Sequence, residues 1–550
     1  MKFYLSIFLL AAGLFAQQNA TKPEDLCGIE GQVTNLVTGA PVKKADLVLR
    51  RMDLVAKTAA QQTNYSATSD AGGKFAMQGI EPGNYQLTAT GNGFLRVTYG
   101  ARGPGRSGTT LSLDAGQQLK DVNFKLTPHA VIAGRIVDED GDPVVGAAVQ
   151  AQTYRRIDGR KLLAPAGGAS TNDLGEYRIF GLAPGQYYLT ATYNQPRTQP
   201  ALRDSSTKPP PEEGYVPTYY PGSLDMAAAA ALEVAPGAEL RGMNIAIAKA
   251  RTVRIRGHVN NPGDRTRQPA AVILSPRDQP GAFGGPGRSE VDAQGNFEIR
   301  GVRPGAYWLV AVTYHGDRAA NARQAIDVGN TNVDDIVLTL IPGVELAGQI
   351  KAEGPEGTNL SNIFITLQVH AQAGVDYGPQ PNGRVQDGGR FTLTQVSQDR
   401  YDVFVNGLPD GYYVKSIRAG DIEVRDSGLD MTSGSPGPLT VTIAPGAGQI
   451  QGVVLNDKQE PAAAALVALI PDDAQRRERR DSYHIAGTDQ YGKFALKSID
   501  PGEYKLYAWD DIESGAYSDP DFVKPFESQA VTMSIRENSR ETGQLKLIKQ

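Results

Sequence analysis

Histidine side chains are the first candidates for chemistry in this chain, because they ligate metals and transfer protons. None of them is followed by glutamate three positions later, and none forms His-Glu-x-x-His. They stand singly, at His129, His258, His315, His370 and His484. The sequence therefore predicts no metal site, no cofactor and no catalytic residue.

Two acidic stretches could offer oxygen ligands to calcium, DEDGD (138–142) and WDDIESGAYSDPD (509–521). Asp and Gly also favour tight turns, so the first stretch is expected to join two strands, and the second leaves calcium open as an alternative. GPGRSG (103–108) matches a dinucleotide fingerprint only formally. Strand-like residues 109–113 follow it where a helix would be required, so a loop is expected.

Aromatic side chains are the better candidates for ligand contacts. Tyr215, Tyr219 and Tyr220 share one Pro-rich loop, and sugars stack on exposed aromatic rings because their C–H-rich faces are apolar. The alternative is that this loop folds over its own domain as a lid. The two tryptophans, Trp308 and Trp509, fall in the outward register of strands, where we expect either a ligand or a covering loop or domain.

The elements that would position these residues recur along the chain, which marks a tandem array. The first phrase is Gly-x-Val or Gly-x-Ile, at Gly31, Gly134, Gly257, Gly348 and Gly452. The second is a tight turn that ends in glycine and an aromatic residue, as in DAGGKF (70–75). The third is GIEPGNYQL (79–87), repeated at 181–189, 301–309 and 498–506, and reduced to QDRYDV at 398–403.

The third phrase predicts a strand, a tight turn and a second strand. Pro82 and Gly83 fit the central positions of a type II turn, where proline fixes φ and glycine accepts a positive φ. Tyr85 then begins the next strand on the buried face, with its hydroxyl placed to bond back to the backbone, as at sandwich corners. The spacing of the repeats, about 100 residues, indicates a whole domain per repeat.

Period-two alternation with many glycines and prolines predicts an all-β fold. We expect a signal peptide at 1–16, a linker at 17–26, and five β-sandwiches at 27–128, 129–249, 250–342, 343–445 (divergent) and 446–550. Segments 153–170, 195–225 and 275–290 are expected to be loops, and 223–234 either a helix or a loop that feeds a strand. Short joints between units predict an extended, semi-rigid row.

The N-terminus reads as a signal peptide with cleavage near Ala16, because a lysine and a short apolar run precede a small residue. That run is too short to span a bilayer, so a membrane anchor is the weaker alternative. The chain is thus expected to be secreted or periplasmic. The lone Cys27 cannot form an intrachain disulfide and is expected to be buried rather than lipidated. A net charge of −5 offers no basic surface for nucleic acid.

VIAGRIVDEDGDPVVGAAVQA followed by STNDLGEYRIFGLAPGQYYLTA, within 131–192, resembles the carboxypeptidase regulatory-like domain. The resemblance implies a seven-stranded transthyretin-like sandwich, related to collagen-adhesin B-type and carbohydrate-binding-like folds. It also implies a non-catalytic accessory module of exported bacterial proteins. We expect a binding protein of the cell envelope, with a glycan or a protein as partner and the oligomeric state open. The alternatives are a structural stalk and a hydrolase with an unrecognised site.

Overall fold

The structure is a computed structural model that describes residues 22–52, 64–157, 159–193, 212–261, 270–277, 287–313, 320–370 and 380–549. The expected signal peptide lies outside these residues. Within the described ranges, helix is confined to short turns, the α-helices Ala474–Arg477 and Pro520–Val523 and the 3-10 turns Pro23–Asp25, Met226–Ala228, Asp387–Gly389, Arg480–Ser482, Ala516–Ser518 and Lys524–Gln529. The predicted all-β class is confirmed.

The first two sandwiches contain strands β1 to β19. Sandwich one contains β1 Cys27–Asn35, β2 Asp46–Arg51, β3 Asn64–Thr68, β4 Lys74–Ile80, β5 Gly83–Gly91, β6 Phe94–Thr98, β7 Leu111–Leu113, β8 Gln118–Leu119 and β9 Phe124–Leu126. Sandwich two contains β10 Ala130–Val137, β11 Ala148–Ile157, β12 Arg160–Ser170, β13 Glu176–Leu182, β14 Gly185–Thr192, β15 Glu212–Tyr215, β16 Thr218–Tyr219, β17 Leu232–Val234, β18 Glu239–Leu240 and β19 Ile245–Ala246.

The remaining three sandwiches contain strands β20 to β43. Sandwich three contains β20 Lys249–Asn260, β21 Ala270–Pro276, β22 Gly287–Glu290, β23 Asn296–Val302, β24 Gly305–Thr313, β25 Ala320–Val328, β26 Val333–Thr339 and β27 Ile341–Pro342. Sandwich four contains β28 Val344–Ala352, β29 Phe364–Val369, β30 Asn382–Arg384, β31 Arg390–Val396, β32 Arg400–Asn406, β33 Tyr412–Ala419, β34 Ile422–Glu423, β35 Leu429–Asp430 and β36 Leu439–Pro445. Sandwich five contains β37 Gly448–Leu455, β38 Leu466–Pro471, β39 His484–Gly487, β40 Lys493–Ile499, β41 Gly502–Trp509, β42 Val531–Ile535 and β43 Arg540–Lys546.

Each sandwich has two sheets that face one another across its own hydrophobic core. In sandwich one, β4-β1-β8 with β9 forms one sheet and β3-β2-β5-β6 with β7 the other. Alternation along β5 turns Tyr85, Leu87 and Ala89 inward, where they join Ile29 and Phe124 from the facing sheet. Separate clusters of this kind fill the other four sandwiches. Alternate residues of strands such as β5 are therefore buried between the two sheets, and each repeat forms its own hydrophobic core.

All three predicted loop regions, 153–170, 195–225 and 275–290, contain strands in their described residues, and in the third these are the end of β21 and β22. Residues 194–211 and 278–286 lie outside the described residues. Residues 148–170 form a long hairpin in which β11 and β12 pair from Ala148 and Ser170 out to Ile157 and Arg160. The loop prediction for 153–170 is therefore wrong, because glycine and proline in this hairpin are absorbed at a register shift rather than ending it.

The segment after β14 contributes to a neighbouring unit. Its strand β15 pairs with β20 of sandwich three rather than with its own sandwich. Downstream, the region 223–234 is a 3-10 turn, Met226–Ala228, followed by β17. The alternative of a loop that feeds a strand is thus the correct one there.

The expected extended row is wrong at its ends. Sandwich five contacts sandwich one, where Gln490 and Ser112 share two hydrogen bonds of 2.7 and 3.0 Å. It also contacts sandwich two, where Arg156 at the end of β11 pairs with Glu513 and Asp519. Short joints restrict the angle between neighbours but do not fix its direction, so the chain can curve back on itself.

Candidate functional site

The glycine of the first repeated phrase is covered by the aromatic ring of the second phrase. The two residues are opposite one another in every sandwich, as in Gly31 with Phe75 and Gly452 with Phe494. A Cβ at Gly31 would collide with the carbonyl oxygen of Val122 and lie 3.1 Å from the Phe75 ring. The glycine is therefore required by close approach of the closing strand and the ring, not by a ligand.

The second phrase is a turn closed by a side chain. A side-chain oxygen of the first turn residue accepts a 2.8 Å hydrogen bond from the backbone N–H four residues later. The accepting residues are Asp70, Asn172, Asp292 and Asp489. Backbone N–H bonds and the Asn296 side chain hold the pKa of Asp292 below its ordinary value. These side-chain oxygens are thus occupied by hydrogen bonds within the turns.

The third phrase places its strained residue earlier than predicted. The residue six positions before the tyrosine of this phrase has a left-handed backbone in every sandwich, with φ near +55° to +77° at Gly79, Gly181, Gly301, Gln395 and Ser498. The pairing with the opening strand shifts register at this point, so the residue sits in a β-bulge. The type II turn expected at Pro82-Gly83 is wrong, because Gly83 has φ 153° and begins β5.

The tyrosine of the third phrase closes the corner as predicted. Its hydroxyl donates to the carbonyl four residues earlier, at 2.7 Å in Tyr85, 2.7 Å in Tyr187, 3.0 Å in Tyr307, 3.2 Å in Tyr401 and 2.8 Å in Tyr504. Each ring is buried in its own core. Burial raises the pKa of Tyr504 to about 12. The phenol is therefore held neutral and acts as a structural donor.

The three loop tyrosines are anchored to the sandwiches beside them. The Tyr215 hydroxyl donates to Glu139 at 3.1 Å, and its ring lies 4.9 Å from the Lys249 ammonium. Tyr219 pairs in β16 with Thr190 of β14, and Tyr220 packs against the core of sandwich two. All three keep partial exposure. The three tyrosines therefore lie against sandwich two, as expected if their loop covers its own domain as a lid.

Trp308 lies on the outward face of β24 at the joint with sandwich four. The guanidinium of Arg323 stacks 4.9 Å from its ring and pairs with Asp399 of sandwich four at 3.1 Å. Asn321 also donates to Ser397 at 2.7 Å. Trp308 keeps part of its surface exposed, and the joint covers the rest.

Trp509 has no exposed surface and offers none to a ligand. It stacks on Tyr507 at 4.8 Å with the rings 7° from parallel. Phe522 and Phe526 cover it from the segment that follows β41, at ring distances of 6.0 and 6.1 Å. The cover expected as the alternative is present, so the expected ligand contact at Trp509 is corrected to a second apolar cluster of sandwich five.

The other chemistry-bearing residues are scattered in the structure as in the sequence. Among the described residues, no group of three or more His, Cys, Asp or Glu is arranged to hold a metal ion. Cys27 is fully buried, and its thiol lies 3.0 Å from the Asp114 carbonyl oxygen. Burial raises the pKa of the Cys27 thiol. No helix in the described ranges is long and apolar enough to cross a bilayer.

The residues that join sandwich five to sandwiches one and two carry no recognisable sequence motif. Arg156 pairs with Glu513 at 2.6 Å and with Asp519 at 2.8 Å, and Arg102 pairs with Asp510. The acidic run at 509–521 is the one local signal, and by itself it suggests a calcium site as readily as an arginine partner. Its partners lie more than 350 residues away in sequence, so no local pattern could have identified them.

Two pilins are among the solved structures to which the chain is similar. The minor pilin GBS52 of Streptococcus agalactiae is 15% identical over 41% of this chain and 96% of its own, with a TM-score of 0.22. BcpA, the major pilin subunit of Bacillus cereus, is 10% identical over 57% of this chain and 99% of its own, with a TM-score of 0.15.

A third solved structure, the Bacillus anthracis TIE protein, is 10% identical over 58% of this chain, with a TM-score of 0.16. The chain spans about half the length of that protein, 51%. None of the curated proteins matches the chain in sequence.

The family model of the carboxypeptidase regulatory-like domain matches two consecutive segments. They contain the Gly31–Phe75 and Gly134–Tyr177 pairs and the corner tyrosines Tyr85 and Tyr187. The match therefore falls on the residues that the structure uses to build the sandwich. The two matched segments are residues 28–127 and 131–207.

Proposed function

We propose that this chain is a non-catalytic, exported protein of the cell envelope that binds a glycan or another envelope protein. The observation that carries the proposal is that the residues repeated in all five sandwiches are used inside the fold. The repeated glycines lie under the aromatic rings of the paired strand, and the corner tyrosines donate hydrogen bonds to the backbone. Recurrence is thus explained by architecture, and binding is left to residues that differ between sandwiches.

Four of the aromatic residues that differ between sandwiches keep exposed surface and are proposed as ligand contacts. They are Tyr215, Tyr219, Tyr220 and Trp308. Each ring is held by neighbouring groups, as Trp308 is by Arg323. A ring fixed in this way loses little conformational freedom when a sugar or a partner side chain stacks on it. Trp509 is not among them because it is fully buried.

A rigid surface scaffold is the second candidate, favoured by the joints between sandwiches. Strand β15 joins sandwich two to the sheet of sandwich three. Between sandwiches four and five, Arg479 donates to the Val403 carbonyl oxygen at 3.0 Å and is 4% exposed. Joints of this kind hold a binding surface in a fixed orientation.

The test is binding of the purified mature chain to a glycan array and to isolated envelope fractions, with W308A and Y219A as variants. We expect each variant to reduce binding about tenfold, as loss of one stacked aromatic contact of about 1.4 kcal/mol does. The control is F180A, because Phe180 is a strongly exposed aromatic on the face of another sheet. Equal binding by all variants would refute these contact residues. A purified chain with hydrolase activity would refute the non-catalytic proposal.

A further inference from the structure

The tip of the long hairpin of sandwich two lies against an acidic segment of sandwich five, Asp510–Asp519. Arg156 reaches two carboxylates there, Glu513 and Asp519, and its guanidinium stacks 5.3 Å from the Phe522 ring. Arg156 and Asp519 are largely buried side chains. This contact joins parts of the chain that are 357 and 363 residues apart in sequence.

The backbones approach closely at the same place. Gly159 is at the hairpin tip, and a Cβ there would lie 2.6 Å from the Ser518 carbonyl oxygen. A Cβ at Gly515 would lie 2.8 Å from the Arg156 carbonyl oxygen. Both glycines have a positive φ, of 69° and 82°. The two surfaces therefore fit in shape as well as in charge.

Sandwich one meets sandwich five through a second set of polar contacts. Ser112 and Gln490 exchange backbone and amide hydrogen bonds, and Gln117 donates to the Tyr491 hydroxyl at 3.0 Å. Next to them Arg102 pairs with Asp510, and Arg106 lies 3.7 Å from Asp511. Charges on the two faces are again opposite, with arginine on one side and aspartate on the other.

We propose that sandwich five is an electrostatic latch, which docks reversibly on sandwiches one and two of the same chain and closes the array into a ring. The contacts are ion pairs and hydrogen bonds, and the side chain of Arg102 is 59% exposed. Polar interfaces of this kind between domains allow relative motion. Salt shortens the screening length from about 10 Å at 0.1 M to about 3 Å at 1 M, so it weakens such pairs.

The pKa of Asp519 agrees with this geometry. Burial raises it, but hydrogen bonds from Arg156 and from the backbone of Phe522 and Asp521 outweigh burial and leave the pKa below its ordinary value. The carboxylate is thus charged throughout the neutral range, and the latch is expected to respond to ionic strength rather than to physiological pH.

The test uses the full chain with the pair S112C and Q490C and a short bismaleimide cross-linker. The natural Cys27 is fully buried, so reaction is confined to the introduced thiols. Cross-linking is measured in 50 mM and 1 M NaCl, with and without R156E. The matched control is R155E, because Arg155 is exposed on the other face of the same strand.

We expect cross-linking within one chain at low salt, a loss of at least fivefold at 1 M NaCl, and a similar loss with R156E but not with R155E. X-ray scattering of the unmodified chain should show a larger maximum dimension at 1 M salt, and this readout needs no variant to fold. Cross-linking that is absent at low salt, occurs only between chains, or is unaffected by salt would each overturn the latch.

Discussion

At the residue scale, one backbone position separates sandwiches four and five, which have Gln395 and Ser498 there, from the other three sandwiches. The bulge residue is glycine in sandwiches one, two and three but serine in sandwich five, at Ser498 with φ 55°. A residue with a Cβ pays about 1–2 kcal/mol for this conformation, whereas glycine does not. The side chain of Ser498 is exposed, so its removal costs no packing.

We therefore predict that S498G stabilises sandwich five by about 0.5–1 kcal/mol, since the greater freedom of glycine in the unfolded chain offsets part of the gain. Urea unfolding followed by Trp509 fluorescence measures it, in a W308F background that leaves a single tryptophan. S498A is the control, because alanine keeps the strained Cβ. Equal stability of S498G and S498A would contradict the bulge argument.

The buried phenols of sandwich five predict a stability that declines in alkali. Burial raises the pKa of Tyr504 to about 12 and that of Tyr507 to about 12, from 10.0. Because the folded state holds these protons more tightly, their contribution is complete below pH 10 and is lost between pH 10 and 12.

The unfolding midpoint should accordingly fall over that range, and Y504F should reduce the fall. At pH 7 the same variant loses the 2.8 Å bond to the Asp500 carbonyl oxygen, at a cost of about 1 kcal/mol. Urea titrations at pH 8, 10, 11 and 12 provide the measurement. An unchanged alkaline slope in Y504F would show that other groups cause it.

Residue patterns predicted some of these roles and missed others. The corner tyrosine was predicted with its backbone bond, because alternation fixes the face that a strand residue occupies. The bulge was missed because Pro-Gly is the strongest local turn signal, whereas a positive φ at Ser498 or Gln395 leaves no trace in composition. Trp509 is covered by residues 512–530. This segment packs without the regular alternation of a strand or helix, so its position could not be read from hydrophobic periodicity.

At the element scale, β15 is a strand supplied by one sandwich to the sheet of the next. It pairs through Glu213–Arg251 and Gly214–Ala250 with β20. Hydrogen bonds toward a partner strand alternate along an antiparallel strand, so one of these two N–H groups belongs to the ladder. The sequence placed this segment in a loop because a strand of four residues within a Pro-rich stretch carries too little alternation to detect.

We predict that one of two variants, E213P or G214P, releases β15 and weakens the joint between sandwiches two and three. The effective variant is the one that removes a backbone N–H bonded to β20. Amide exchange should accelerate at 249–252, the part of β20 opposite β15. Y215F serves as the control, because it removes the bond to Glu139 while it preserves the backbone. Unchanged exchange at 249–252 in both proline variants would contradict the pairing.

At the scale of the whole molecule, five similar sandwiches are joined in a chain whose last member meets the first two. The sequence could predict the number and class of the units, because each repeat carries its own core pattern. It could not predict their path, since ion pairs such as Arg156–Asp519 connect residues 363 positions apart. The proposed function follows the same division, with shared residues in the fold and the proposed contact residues among those that differ between sandwiches.

The central claim is that the repeated residues hold each sandwich together rather than form sites. Unfolding of G452A, followed by Trp509 fluorescence in the W308F background, tests it most directly. A Cβ at Gly452 would collide with the Gly543 carbonyl oxygen and lie 2.7 Å from the Phe494 ring, whereas a Cβ at Gly543 would have its nearest neighbour at 4.0 Å. The account predicts that G452A loses about 1–3 kcal/mol of unfolding free energy and that G543A loses almost none. Equal stability of G452A and G543A would contradict it.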